Sequence, residues 1–590
     1  NLNFSSFFPV KMNMVVDLVT ANFKNKIFTV GAFCLVFCNL FALPSFAQIS
    51  PQGRDQVYKQ ASPLRFEERF KKQAKPKAQK IPVREDNLKP MFPKELRKVK
   101  FVLQKMVIKG STLYSKRRFS RLFRKYMRKR ISLGQVYAIA QTITNMYRKD
   151  GYILSKAVVP PQQIDIGIIR IDVIEGFVDK VNVQGDVIGP KSLLNKYRRK
   201  LLKSKPLLAK DLERYLLLVD DLPGVTVKSV LTPSEVQPGA TDLTLILTNK
   251  RYAGGFKIDN RGSKFNGPIQ FSGNASTHSL LGLFERVGFQ GAVTKDTDEL
   301  RFFSGFYEQP IFTEGTKIYF SGSASKSQPG SDLEVFDVKG DSATFTLRVT
   351  HPLIRSRAEN LNTFFGFTHR DSTTEFLGDT NSTDKLRIAN FGLSYDFIDE
   401  YRGVNILNIK WSQGLNIFGA SQSGALQLSR PEGRASFSKI SGEALRLQQL
   451  APSWMLLGAA SWQYSFVKLL ASEEFGVGGS QFGRAFDPSE ITGDHGLAFK
   501  LELQKAFQID SAYIHDIQAY TFFDYGAVWN RINTSTGSSK QNLSSVGAGL
   551  RFNVTDYISG YVEFDKPLNR DVSAEGNKDT RMFFSLSTHF

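Results

Sequence analysis

Arg484 is the residue whose surroundings ask most plainly for a chemical partner. It stands between Phe482 and Phe486, in a stretch from Phe475 to Gly496 that holds six glycines, one proline and no apolar period. That composition reads as a long loop with a tightly specified backbone. A guanidinium stays charged and offers a planar fork of donors, so between two aromatic rings it needs an anion. Other candidate chemistry is thin. Six histidines (His278, His351, His369, His495, His515 and His589) show no metal-ligand spacing. Gly476-Val477-Gly478-Gly479 lacks the helix and lysine of a phosphate cradle. Glu473-Glu474 is expected in a water-exposed loop. No catalytic residue, metal site or cofactor is expected, and the chain reads as a non-enzyme.

The loop leads into a strand. Leu497, Phe499, Leu501 and Leu503 point one way, and Ala498, Lys500, Glu502 and Gln504 the other. From Arg251 such runs recur to the end. Phe345, Leu347 and Val349 oppose Thr344, Thr346 and Arg348; Ile558, Gly560, Val562 and Phe564 oppose Ser559, Tyr561, Glu563 and Asp565. Proline turns are expected at Gln309-Pro310, His351-Pro352 and Ala451-Pro452. About 340 residues at roughly 21 per strand and loop suit sixteen antiparallel strands, an even number, with lipid outside and water within. A soluble β-sandwich of that length would have edges to protect, which closure removes. The expected fold over 250–590 is an all-β transmembrane barrel, with the anion for Arg484 in its polar lumen.

Upstream, Lys24 and Lys26 precede the apolar run from Ile27 to Leu43, and Ser45-Phe46-Ala47 supplies a small-x-small cleavage pattern. Residues 1–47 are expected to be a secretory signal peptide, with Met12 and Met14 available as starts and Gln48 the first mature residue. Cys34 and Cys38, the only cysteines, leave with it, and with them any thiolate chemistry. Residues 48–97 combine a helix-permissive segment, Asp55 to Lys72, with a lysine-rich linker that has nothing to bury. Two α+β units follow, over 98–176 and 177–249, each in the order β-α-α-β-β. In the first, Val99 to Lys109 alternates as a strand. Phe119, Leu122, Phe123 and Tyr126 mark one helix face, and Val136, Ile139, Ala140, Ile143 and Tyr147 a second, which Gly151 stops. Much of the net charge of +23 lies here: Lys94 to Arg130 holds fifteen Lys or Arg against Glu95 alone. Behind a signal peptide, nucleic acid is not the expected partner. A solvated helix face, anionic headgroups and an acidic client all remain open.

Gly483-Arg484-Ala485-Phe486, then Gly493-Asp494-His495-Gly496 and an alternating strand, resembles the sixth extracellular loop and following strand of two-partner secretion transporters. These are FhaC/ShlB-type members of the BamA-type barrel superfamily. The family's loop motif is Val-Arg-Gly-Tyr/Phe; here Gly483 replaces Val and Ala485 replaces Gly, and alanine takes positive φ only at a cost. Phe522-Phe523-Asp524 resembles the family's Phe-x-Asp inner wall. Ile258-Asp259-Asn260-Arg261-Gly262-Ser263 resembles its first barrel strand, and His351 to Arg357 one of its periplasmic turns. Gly151-Tyr152-Ile153-Leu154 with Ile171-Asp172-Val173-Ile174-Glu175-Gly176 resembles POTRA domains. Phe584, Leu586 and Phe590 resemble the terminal signal by which such barrels are recognised for assembly.

The resemblance implies a loop tip folded into the lumen, with Arg484 on Asp524 in a bidentate bridge. It implies a plug helix within 48–97, two periplasmic POTRA domains and an outer-membrane location. The partners implied are a secreted TpsA-type exoprotein, outer-membrane lipid and lipopolysaccharide, and the barrel-assembly machinery. A BamA/TamA-like insertion factor is the alternative inside the superfamily. A passive porin or adhesive barrel is the alternative outside it, and leaves the POTRA pair without a role.

Overall fold

The computed structural model describes residues 94–164, 166–235, 237–509, 514, 516–531 and 540–590. The signal peptide expected over 1–47 lies outside them, as do the plug and linker expected over 48–97 apart from a 3₁₀ turn at Lys94–Arg97.

In the first α+β unit, helices α1 (Lys116–Phe123) and α2 (Leu133–Lys149) cover a three-stranded sheet. Ile168–Ile174 is central, with Lys105–Lys109 parallel on one side and Lys156–Val158 antiparallel on the other. The stripe Val136, Ile139, Ala140, Ile143 and Tyr147 is buried against Ile169, Ile171 and Val173. Ser132 starts α2 with a reciprocal capping box to Gln135.

Two expectations need correction here. Val99 to Lys109 is not one strand but two: Lys100–Val102 pairs with Arg130–Ser132, and Lys105–Lys109 joins the main sheet. Leu103 and Met106 are both buried, and a spacing of three breaks the period of two. The first helix stops at Phe123, and a 3₁₀ turn carries the chain to Tyr126.

Glu175 and Gly176 end the unit. Burial pushes the Glu175 carboxyl up, but bonds from Thr112, the Tyr147 hydroxyl and the Leu113 amide outweigh it and hold it below the usual range. A Cβ on Gly176 would lie 2.5 Å from the Leu154 carbonyl oxygen, so only glycine fits that junction.

The second unit repeats the arrangement. Helices α3 (Lys191–Lys203) and α4 (Ala209–Asp220) cover a sheet in which Ala240–Asn249 is central. Phe177–Gln184 runs parallel to it and Val225–Pro233 antiparallel. The core includes one ring from elsewhere: Phe284, on the turn between barrel strands Gln270–His278 and Arg286–Thr294, is fully buried among Tyr197, Leu201 and Leu218. Arg355, at the end of barrel strand Lys339–Arg355, adds a two-pronged bridge to Asp221 at 2.6 and 2.8 Å. Lys200 meets Glu314 of another barrel turn at 2.8 Å.

Sixteen antiparallel strands form a closed barrel, each beside its neighbours in chain order. Tyr252–Asp259 closes against Arg581–His589. Phe289, Phe303, Phe345 and Phe365 lie on the outside, each 59–68% exposed. Water would not tolerate such a band; lipid hydrocarbon requires it. No described helix is long and apolar enough to cross a membrane. His351-Pro352 does not form a turn: the strand runs through it to Arg355, with a register shift just after Pro352, the kind of irregularity at which strand prolines are found.

Candidate functional site

The strand Asp516–Trp529 presents Phe523 outward and Asp524, fully buried, inward. Between strands Trp454–Ser465 and His495–Gln508 the chain makes its longest described excursion, and this excursion folds back into the lumen. It is not all irregular, as the glycine content suggested. Phe475–Val477 and Ile491–Gly493 pair as a short hairpin. Val477, Ala485, Phe486 and Ile491 pack on Ala498, Val528 and Leu543 of the wall.

At the tip, Arg484 Nε donates to Asp524 Oδ2 at 3.1 Å and Nη2 to Oδ1 at 3.1 Å. The amides of Gly483 and Arg484 donate to the same carboxylate at 3.1 and 3.0 Å. Arg484 Nη1 reaches Glu502 at 2.6 Å and Glu563 at 3.5 Å, and the guanidinium lies 3.3 Å from the Phe522 ring centroid. One cation thus answers carboxylates from three strands in a site closed to water, where such bonds are strongest.

The backbone here is specific. Gly483 has φ +77°, and a Cβ would lie 2.6 Å from Leu543. Ala485 is fully buried and is not among the positive-φ residues, so its methyl group carries no backbone penalty. The left-handed residue precedes the arginine. Placing the family's usual valine there should therefore weaken the loop. Gly483→Val is expected to cost about 1–2 kcal/mol of left-handed strain before any clash, and to speed hydrogen exchange at Gly483 to Phe486 about tenfold. A parental exchange rate would contradict this geometry.

Four further residues, Asp494, Arg581, Glu473 and Glu474, hold the excursion. Asp494 takes bonds from Arg430 Nη1 at 2.6 Å, the Leu469 amide at 2.8 Å and the Arg531 amide at 3.0 Å. Arg581 donates to Asp487 at 2.8 Å and to the Ala485 carbonyl at 3.0 Å. Glu473, expected in water, is buried between Arg370 and Lys439 at 2.7 Å each. Glu474 likewise pairs with Arg430 at 3.0 Å rather than facing solvent. The reason is that inward-folded loop acids meet cations on the wall.

Of the remaining motif residues, Gly493 ends the hairpin, and a Cβ there would lie 3.0 Å from the Trp529 backbone. A Cβ on Gly496 would run into the Phe475 ring. Leu586 and Phe590 are exposed on the outside of the last strand with Phe584 on the same face, and Phe590 exchanges backbone bonds with Gly254.

Sequence reasoning missed Glu502, Glu563, Arg261, Arg430 and Arg581. Glu502 and Glu563 carried a signal: each sits on the polar phase of an alternating strand. Arg430 lies between strands, where no period marks it.

The family model described as "Haemolysin secretion/activation protein ShlB/FhaC/HecB" matches residues 240–552, more than half of the chain. The chain belongs to this family. A second model, "POTRA domain, ShlB-type", matches residues 101–176. Among curated relatives, the "Heme/hemopexin transporter protein HuxB" of Haemophilus influenzae (strain 86-028NP) is 22% identical, covering 78% of this chain and 82% of that one. The "Outer membrane transporter CdiB" of Escherichia coli O6:K15:H31 is 24% identical over 79% of each. The solved structure of CdiB from Escherichia coli superposes with a TM-score of 0.70 at 22% identity, covering 92% of this chain and all of that one. CdiB from Acinetobacter baumannii gives 0.59 at 16%. As a ShlB/FhaC/HecB member, the chain is a two-partner secretion transporter of the outer membrane. Its POTRA domain faces the periplasm and its partner is a TpsA-type exoprotein.

Proposed function

We propose that the Arg484–Asp524 contact is a lock. With the loop inside, the lumen is occupied; with the loop withdrawn, it becomes the path of an unfolded exoprotein. The observation that carries this is a buried cation on a Gly-rich loop tip, answered by carboxylates of three wall strands. In this reading the second α+β unit, with the strand order of the first, is a second POTRA domain. The strands Lys105–Lys109 and Val225–Pro233, each an edge of its sheet among the described residues, take up an extended client segment as an added strand, by main-chain hydrogen bonds. Folding of the client outside supplies the direction of travel, and the chain carries out no catalytic step. Outer-membrane lipid and lipopolysaccharide around the Phe band, and the barrel-assembly machinery reading Phe584, Leu586 and Phe590, complete the set of partners.

The test is co-expression with a TpsA-type exoprotein from the same source, read as exoprotein on the cell surface. Export should require the chain, while the levels of other outer-membrane barrels stay unchanged without it. Export that persists in its absence, or a general loss of barrels, would overturn the reading; the second result would favour an insertion factor.

A further inference from the structure

We propose that Arg261 is a positioning residue that makes the inward-folded loop and the closing seam of the barrel one cooperative unit, so that loosening either loosens the other. The proposal rests on the lock reading above. The seam is short. Tyr252–Asp259 and Arg581–His589 share register only from Ser585↔Asp259 to His589↔Gly255, whereas Glu359–Phe376 is paired along its whole length. Beyond Asp259 a side chain continues the ladder: Asn260 Nδ2 donates to the Met582 carbonyl at 2.9 Å, and its Oδ1 accepts from the Phe584 amide at 2.7 Å.

Arg261 comes next and is buried. It bridges to Glu563 and, at 3.4 Å, to Asp565, both on the penultimate strand Ile558–Pro567. Its guanidinium lies 3.9 Å from the Phe583 ring centroid on the last strand. Its Nη1 also donates to the carbonyl oxygen of Arg484 at 2.9 Å. One side chain two residues past the first strand therefore grips the last two strands and the loop tip together.

Glu563 is the shared counter-ion. It faces Arg484 at 3.5 Å and accepts from the Tyr520 hydroxyl at 2.7 Å. Withdrawing the loop takes from this cluster both the Arg484 charge and the carbonyl that Arg261 holds. Pulling the first strand away takes Arg261 and leaves Glu563 and Asp565 in excess negative charge beside the lock. Buried clusters lose most when one member leaves the others unpaired, and a coupling of this kind acts equally in both directions.

The experiment is hydrogen exchange on the full protein in lipid nanodiscs, with heat-shifted electrophoretic mobility to show that each barrel is folded. Arg484→Ala is expected to speed exchange at the seam, Ser585 to His589, at least tenfold, and to leave the ladder between Glu359–Phe376 and Asp379–Ile398 unchanged. Arg261→Gln should speed both the seam and Gly483 to Phe486, with Arg261→Lys intermediate because it keeps the charge and loses the fork. The double variant should exchange no faster than the faster single one. Seam exchange at the parental rate in Arg484→Ala, or effects that multiply in the double variant, would overturn the coupling. Should Arg261→Gln fail to assemble, Tyr561→Phe removes one bond to Arg261 and no charge; it should speed both regions, and an effect on the seam alone would count against the proposal. Failure of the lock reading shows differently, as unaltered loop exchange in Arg484→Ala.

Discussion

Arg484→Ala should leave a folded barrel whose loop no longer stays in the lumen. Removing one partner of a buried ion pair costs about 3–5 kcal/mol, and even 3 kcal/mol raises the loop-out population on the order of a hundredfold. In planar bilayers this reads as long-lived open events at the conductance of an empty barrel. The rank order is a sharper check than the size. Arg484→Ala takes the guanidinium from Asp524 and one of two cations each from Glu502 and Glu563, which keep Arg551 and Arg261, whereas Asp524→Ala leaves the arginine with Glu502 at 2.6 Å. The arginine variant should therefore open more. Arg484→Lys should resemble the alanine variant more than the parent, because an ammonium cannot span both oxygens of Asp524. Parental conductance in both alanine variants, with parental heat-shifted mobility, would remove the lock from the account.

Asp494→Ala is expected to be as costly and to act elsewhere. Asp494 is fully buried and ties together the Arg430 side chain, the Leu469 amide and the Arg531 amide, in three separate connections between strands. Its loss leaves the Arg430 guanidinium with Glu474 and two amides without an acceptor, again about 3–5 kcal/mol. The effect should appear at the cell surface. Added protease should cut within 415–437 or 466–474 at least tenfold faster, while bilayer conductance changes less than in Arg484→Ala. Arg430→Ala should do the same, since it takes the guanidinium from both Asp494 and Glu474. Equal effects on conductance from the two sites would mean that the loop moves as one block and that its stem and tip are not separable.

How much of this was legible follows from where periodicity operates. Leu497 to Gln504 told inside from outside residue by residue, because a strand in a barrel alternates without interruption. The same phase carried Asp524, Glu502 and Glu563 inward, and only their convergence on one cation needed the fold. Glu473 and Glu474 could not be placed from sequence. Two adjacent acids outside a periodic run look solvated until the loop is known to fold inward onto Arg370, Lys439 and Arg430. Arg261 was visible as part of a strand motif, but its partners lie 223 to 304 positions away and no local pattern encodes them. Leu103 and Met106 show the opposite failure, since local alternation suggested one strand where two different sheets compete for the chain.

The buried ring of Phe284 bears on how the molecule matures. The interior of the second α+β unit is finished by a side chain that arrives from a different module, on a turn that exists only once the first barrel strands have paired. Before that moment the unit holds a phenyl-sized hole, and a hole of that kind in a close-packed interior weakens everything around it. A molecule whose first barrel strands have not paired is therefore expected to carry a softer second unit, cut by protease within 177–249 faster than the finished protein.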